Sequence, residues 1–242
     1  MAISPRVGGG STSQSAARIL IILDRLGQQP SQADLIATPG VVKVVRALSR
    51  LAKLDFWLRN PDYLADEVLT DIGSGHISPA DGLPHVDRML AGPAPLLHLY
   101  PMRRYKYGAW ELPDNAIAVL KSYGFVTTRR AREIDTEASS KARRDYFLQE
   151  AGAAAIATMR DEIEQIKWYD EQAEAIGLLD VRETGSAAKV RQYQQPEYKA
   201  TPVGRPVSSI LDRVRPRFEK VAATHGYATT SAPSPALDGS EA

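Results

Sequence analysis

The sequence predicts a mainly α-helical domain with a small β-hairpin, specifically an α-helical domain containing a winged helix-turn-helix. Two observations carry this. The stretch from Leu99 to Thr158 reads in order as helix, strand, charged hairpin, strand and helix. Upstream of it, apolar residues recur at spacings of three and four, the period of helices that bury one face.

Within that stretch, an apolar helix from Ala116 to Tyr123 stops at Gly124, the residue type that most readily ends a helix in a left-handed conformation. A β-type run follows. The chain then passes through a long charged hairpin, between Thr127 and Tyr146, and returns on Tyr146-Phe147-Leu148. A new helix opens at Gln149-Glu150-Ala151-Gly152. The next apolar positions, Ile156, Met159, Ile163 and Ile166, form a three-four stripe on one long expected helix from Ala153 to Ile176. Such a stripe packs against a partner or against the helices of its own domain.

Residues 1–14 are rich in Gly and Ser and are expected to form a flexible lead to a domain spanning 15–180. Ala16 to Leu26 reads as a short helix that is apolar on nearly every face, which places it at the centre of a core. A longer helix is expected from Val41 to Leu58, because Val41, Val44, Val45, Leu48, Leu51, Leu54 and Leu58 form a single stripe. Asn60-Pro61 ends it and starts another helix to Leu69, with Asn60 as the N-cap and proline in the first helical position. Phe56, Trp57 and Tyr63 read as core. Asp71 to Pro95, rich in Gly and Pro, reads as an irregular connection with one helical turn around His85 to Leu90. A C-terminal extension over 181–226 carries one amphipathic helix, Val207 to Ala223, and 227–242 has the composition of a disordered tail.

Composition narrows the function classes. The chain has 242 residues, and thirty basic side chains against twenty-nine acidic ones leave a formal charge of +1. No global field draws it to nucleic acid or an anionic membrane, so any such attraction is local. With no cysteine there is no disulfide framework and no thiolate zinc site. The longest apolar run, Ile19 to Leu23, is too short to span a bilayer, and a cytoplasmic location is expected. His76, His85 and His98 lack the spacing and supporting carboxylates of a metal site. Walker-type, HExxH and GxSxG patterns are absent. The expectation is therefore a protein without catalytic residues, metal or cofactor.

The candidate contacts are basic. The expected wing offers Arg129, Arg130, Arg132, Lys141, Arg143 and Arg144, interleaved with Glu133, Asp135, Glu137 and Asp145. Six cations against four anions read equally as a phosphate-contacting wing or as a solvated hairpin. The helix before it holds no arginine or glutamine, leaving Asn115, Lys121 and Ser122 as its possible readers of bases or phosphates, so operator recognition is not expected. Arg103, Arg104 and Lys106 alternate with Tyr105, Tyr107 and Trp110, a pattern that stacks on bases or anchors a strand edge.

Two resemblances attach to these residues. Tyr123-Gly124-Phe125-Val126, together with Arg144-Asp145-Tyr146-Phe147-Leu148-Gln149-Glu150-Ala151-Gly152, resembles the wing and following helix of MarR- and PadR-like regulators. RILIILDRLG, AKLDFWLRNPDYLADEVL, MRRYKYGAWELPDNAIAVLKSYGFV and YFLQEAG run in order over residues 18–152. They are similar to the middle component of bacterial ABC three-component systems, akin to the small accessory subunit of Lamassu-type anti-phage defence. That resemblance implies an adaptor that docks on an SMC- or Rad50-like ATPase and bridges it to an effector subunit. Ile156, Met159, Ile163 and Ile166 are its candidate partner-binding stripe, and DNA is a further contact through the wing. The MarR/PadR resemblance implies a transcriptional regulator instead.

Overall fold

The computed structural model describes residues 11–91, 104–105, 108–109, 114–133, 141–179, 197 and 200–230. It is mainly helical, with one three-stranded sheet. Helix α1, Thr12–Leu26, is a central rod against which the sheet and several of the later helices pack. It starts earlier than Ala16 because Ser11 builds a capping box: its hydroxyl accepts the Gln14 N–H at 3.2 Å, and the Gln14 side chain accepts the Ser11 N–H at 2.8 Å. Ile19 to Leu23 are all buried, each contributing roughly 1.5–3 kcal/mol of apolar burial. Even Arg18 is enclosed, with its charge met by Asp55 at 3.0 Å.

After helix α2, Gln32–Ala37, the structure departs from the expected Val41–Leu58 helix. Val41–Val45 is strand β1, and helix α3 begins only at Leu48. Spacings of three and four among valines fit a strand buried on both faces as well as a helical stripe, and β-branched residues favour the strand. The partner strand decides the outcome, since Val44 lies opposite Phe147 and Val45 opposite Tyr146. Between β1 and α3, Ala47 turns the corner at φ +69.

Helix α3, Leu48–Arg59, meets helix α4, Pro61–Gly73, at the expected corner. Asn60 serves the other helix, however. Its amide donates to the Phe56 carbonyl at 2.7 Å, closing α3, and makes no N-cap bond to α4. Phe56, Trp57 and Tyr63 are buried, as their pattern predicts. The expected irregular connection is mostly helix α5, Pro79–Ala91. Ser78 opens it by accepting the Asp81 N–H and donating to the Asp81 carboxylate. Pro79 sits in the first turn, where a missing N–H costs nothing, and the helix runs on through Pro84.

Strands β2, Arg104–Tyr105, and β3, Gly108–Ala109, form a small antiparallel pair. Helix α6, Asp114–Ser122, leads into β4, Val126–Glu133, and β5, Lys141–Gln149, which pair in an unbroken antiparallel register. The sheet order is β1-β5-β4. One face, with Val45, Val126, Tyr146 and Leu148, joins the main core around α1, whereas Val41, Val44 and Phe147 form a separate small cluster.

Beyond the sheet, the long helix expected from Ala153 to Ile176 is two helices, α7, Glu150–Glu162, and α8, Gln165–Leu178. The chain breaks at Ile163, whose φ of −123 and ψ of 101 are extended. The break lets Arg160 reach back to Asp24 of α1 and hold Asp170 of α8 through two hydrogen bonds of 2.7 and 3.1 Å. Arg25 meets the same Asp170 at 2.9 Å. The apolar stripe is therefore not a continuous coiled-coil seam.

Helix α9, Leu211–Thr224, lies on α4 and α5 and runs through Pro216. Three buried acids hold this segment. Asp62 accepts the Ile210 N–H and the Ser209 hydroxyl, both at 2.8 Å. Asp66 meets Arg213 at 3.0 Å and Arg217. Asp87 takes the Thr230 N–H at 2.8 Å and the Tyr227 hydroxyl at 3.3 Å. Tyr227 and Thr230 are thus pinned at the start of the stretch read as a tail.

Candidate functional site: the helix–hairpin face

Helix α6 and the hairpin are joined by a turn with little freedom. Gly124 has φ +71, its N–H donates to the Lys121 carbonyl at 3.0 Å, and the Phe125 N–H donates to the Leu120 carbonyl at 2.9 Å. This is a helix stop that glycine adopts without strain. On the far side, Gly152 in the first turn of α7 lies under the Phe125 carbonyl, where a Cβ would come within 2.4 Å of the oxygen. The Gln-Glu-Ala-Gly signature therefore reflects close packing of α7 on the strand pair.

Side chains alternate across the β4–β5 ladder, and the two faces have different fates. On one face, Arg129 and Arg143 are consumed by internal carboxylates. Asp145 is fully buried and receives Arg143 at 2.8 and 3.2 Å, Arg46 at 3.2 Å and the Ala47 N–H at 3.3 Å. Asp34, also buried, receives Arg46, Arg129 and the Ser31 hydroxyl and N–H. Burial pushes the Asp34 carboxyl up, but the hydrogen bonds from Arg46 and Ser31 outweigh it and hold that group well below the usual carboxylate range. Arg129 also lies 5.0 Å from the centre of the Phe147 ring. These cations tie α2, β1, β4 and β5 together.

The other face points its cations outward. Thr128, Arg130 and Arg144 emerge beside α6, and together with Lys121 they line a cleft of about 320 Å³ floored by Ile117 and Ala118. Arg144 approaches Asp114 at 3.7 Å, and both side chains are largely exposed. Neither Lys121 nor Arg130 forms an ion pair with a described residue. The outer surface of α6 adds exposed Val119 and Tyr123, the latter stacked on Phe125 at 5.5 Å.

The candidate cations are thus sorted. Arg129 and Arg143 belong to the internal network, Arg129 also bordering the cleft, and Arg130 and Arg144 belong to the cleft. Arg104, Arg132 and Lys141 lie in strands, but their side chains, like all of Arg103 and Lys106, fall outside the described residues. Of the partner-binding stripe, Ile156 and Ile166 are buried, Met159 packs on the core, and Ile163 is exposed. The Asp34–Arg46 pair has no local sequence signal, because it forms only once Val41–Val45 is a strand and not the helix its spacing suggests. His76 and His85 have local partners, Ser74 at 2.7 Å and Arg88 at 2.9 Å. His98 lies outside the described residues.

Among the described residues, no cluster of His, Asp or Glu is placed to hold a metal, and no helix is long and apolar enough to cross a membrane. No family model, curated protein or solved structure matches this chain.

Proposed function

We propose that this chain is a non-catalytic accessory subunit built on a winged-helix framework, in which α6 and the hairpin serve for docking on other proteins. The observation that carries the reading is the exposed surface of α6 and the turn after it, where Ala118, Val119 and Tyr123 stand in place of the arginines and glutamines that read base edges. Two of the six wing cations are also engaged inside the protein. The framework is supported by topology. The sheet order β1-β5-β4 and the order α1, β1, α3, α6, β4, β5 are compatible with such a framework, with α2, α4, α5 and the β2–β3 pair as additions to it.

The resemblance noted above supplies the partner: an SMC- or Rad50-like ATPase of an anti-phage defence complex, bridged by this subunit to an effector. The test is purification of the tagged chain from its native host at natural expression. A coiled-coil ATPase recovered in stoichiometric amount is expected, and a homodimer with no such partner overturns the reading. A second reading, a MarR/PadR-like regulator, is favoured by the outward cations Lys121, Arg130 and Arg144. It requires a mobility shift of the chain's own upstream DNA that weakens steeply with salt.

A further inference from the structure

Arg130 and Arg144 are paired residues of the β4–β5 ladder and share one face of the sheet. Like charges directly opposite one another destabilise an antiparallel pair. Lys121 of α6 adds a third cation to the same cleft. Asp114, 3.7 Å from Arg144, offsets part of this charge, and an anion seated between the three cations offsets more.

We propose that this cleft receives an acidic segment of a partner protein, its carboxylates meeting Lys121, Arg130 and Arg144 while an apolar side chain rests on Ile117 and Ala118. The inference rests on the docking reading and names the chemistry of the segment that docks. Charge complementarity selects an acidic occupant. The floor selects a peptide over a phosphate backbone, because Ile117 and Ala118 offer it apolar contact and nothing to a phosphodiester. Asp114 at the cleft wall argues the same way. It repels a continuous row of phosphates, whereas a peptide can space its carboxylates to avoid it. The volume of about 320 Å³ suits a few side chains.

The test uses the full chain and a fluorescein-labelled peptide in which glutamates flank leucines, measured by anisotropy beside its glutamine counterpart and a labelled mixed-sequence DNA duplex. The acidic peptide is expected to bind. The glutamine peptide, and the variants Lys121→Glu and Arg130→Glu, are each expected to weaken binding by about tenfold. Arg205→Glu, on an exposed residue outside the cleft, is expected to leave binding unchanged. Arg130→Glu also replaces a repulsive pair by an attractive one, so its melting temperature rises, which separates lost binding from lost folding. Equal binding of the two peptides, or no binding of either, overturns the inference. So does preferential binding of duplex lost in the same variants, which assigns the cleft to nucleic acid. The same variants are scored for ATPase co-purification. If a charge-reversed chain keeps the ATPase, the cleft is not the docking point and the inference falls while the accessory-subunit reading stands. If the wild-type chain recovers no ATPase yet binds the peptide, that reading falls and the cleft stands.

Discussion

Arg130 and Arg144 face each other in register across β4 and β5, a like-charged cross-strand pair in which both residues are exposed. Arg130→Glu turns the pair into an attractive one. The expected outcome is a gain of roughly 0.2–1 kcal/mol, read as a higher urea midpoint with an unchanged m-value. The gain should fade in high salt, because both side chains are exposed.

Asp145 is the opposite case. It is fully buried and gathers Arg46, Arg143 and the Ala47 N–H. Asp145→Asn keeps the shape but removes the buried charge that the Arg143 and Arg46 guanidinium groups share, Arg46 retaining Asp34. Because those groups are partly solvated, the expected loss is about 3 kcal/mol, the low end for breaking a buried pair. Equilibrium unfolding measures it. For the same reason Arg143→Glu should destabilise the fold, so Arg144 and Arg130, not Arg143, are the positions at which surface function can be tested cleanly.

Ala47 holds φ +69 and ψ 137, a region alanine rarely enters. Strain of this kind costs on the order of 1–3 kcal/mol. Glycine removes it but gives back roughly 0.4–1 kcal/mol through the unfolded chain. Ala47→Gly should therefore stabilise by about 1 kcal/mol, contrary to the usual effect of introducing glycine. Thermal unfolding of the two proteins side by side decides it.

Among the described residues, Asp34, Asp170 and Glu197 have carboxyls held below their ordinary values. Burial opposes ionisation at each, but hydrogen bonds from Arg46 and Ser31 prevail at Asp34, from Arg25 and Arg160 at Asp170, and from Arg213 at Glu197. A carboxyl whose folded value is depressed contributes stability that is complete above its unfolded value, about 4, and is lost as pH falls through the folded value. The denaturation midpoint should be level near neutrality and should drop below about pH 4. Asp34→Asn should lower the neutral-pH plateau and reduce the acid slope.

Some of this architecture is written locally in the chain. Gly124 as a helix stop, the Arg-rich hairpin and the helix opening at Gln149 could be read in order, because each depends on residues close in sequence. Strand β1 could not. The spacing of Val41, Val44 and Val45 is ambiguous by itself, and β5, which resolves it, lies far along the sequence. Helix α5 was hidden by its own Gly and Pro content, although Ser78 and Pro79 are favourable starting residues. The break at Ile163 carries no glycine or proline. It goes with the contacts of Arg160 to Asp24 and Asp170, which a periodicity count does not register. The same limitation applied to the candidate site. Six cations were visible, but which were neutralised depended on Asp34 and Asp145 reaching them through the fold.

The clasp formed by Ser209, Ile210, Arg213, Arg217, Tyr227 and Thr230 on Asp62, Asp66 and Asp87 has a consequence for how the molecule is made. A nascent polypeptide that has emerged only as far as α8 lacks the hydroxyls and amides that Asp62 and Asp87 receive, and the Arg213 and Arg217 guanidinium groups that meet Asp66. These contacts form only once residues 209–230 have left the ribosome, and a chain truncated near residue 200 should be digested faster than the full one.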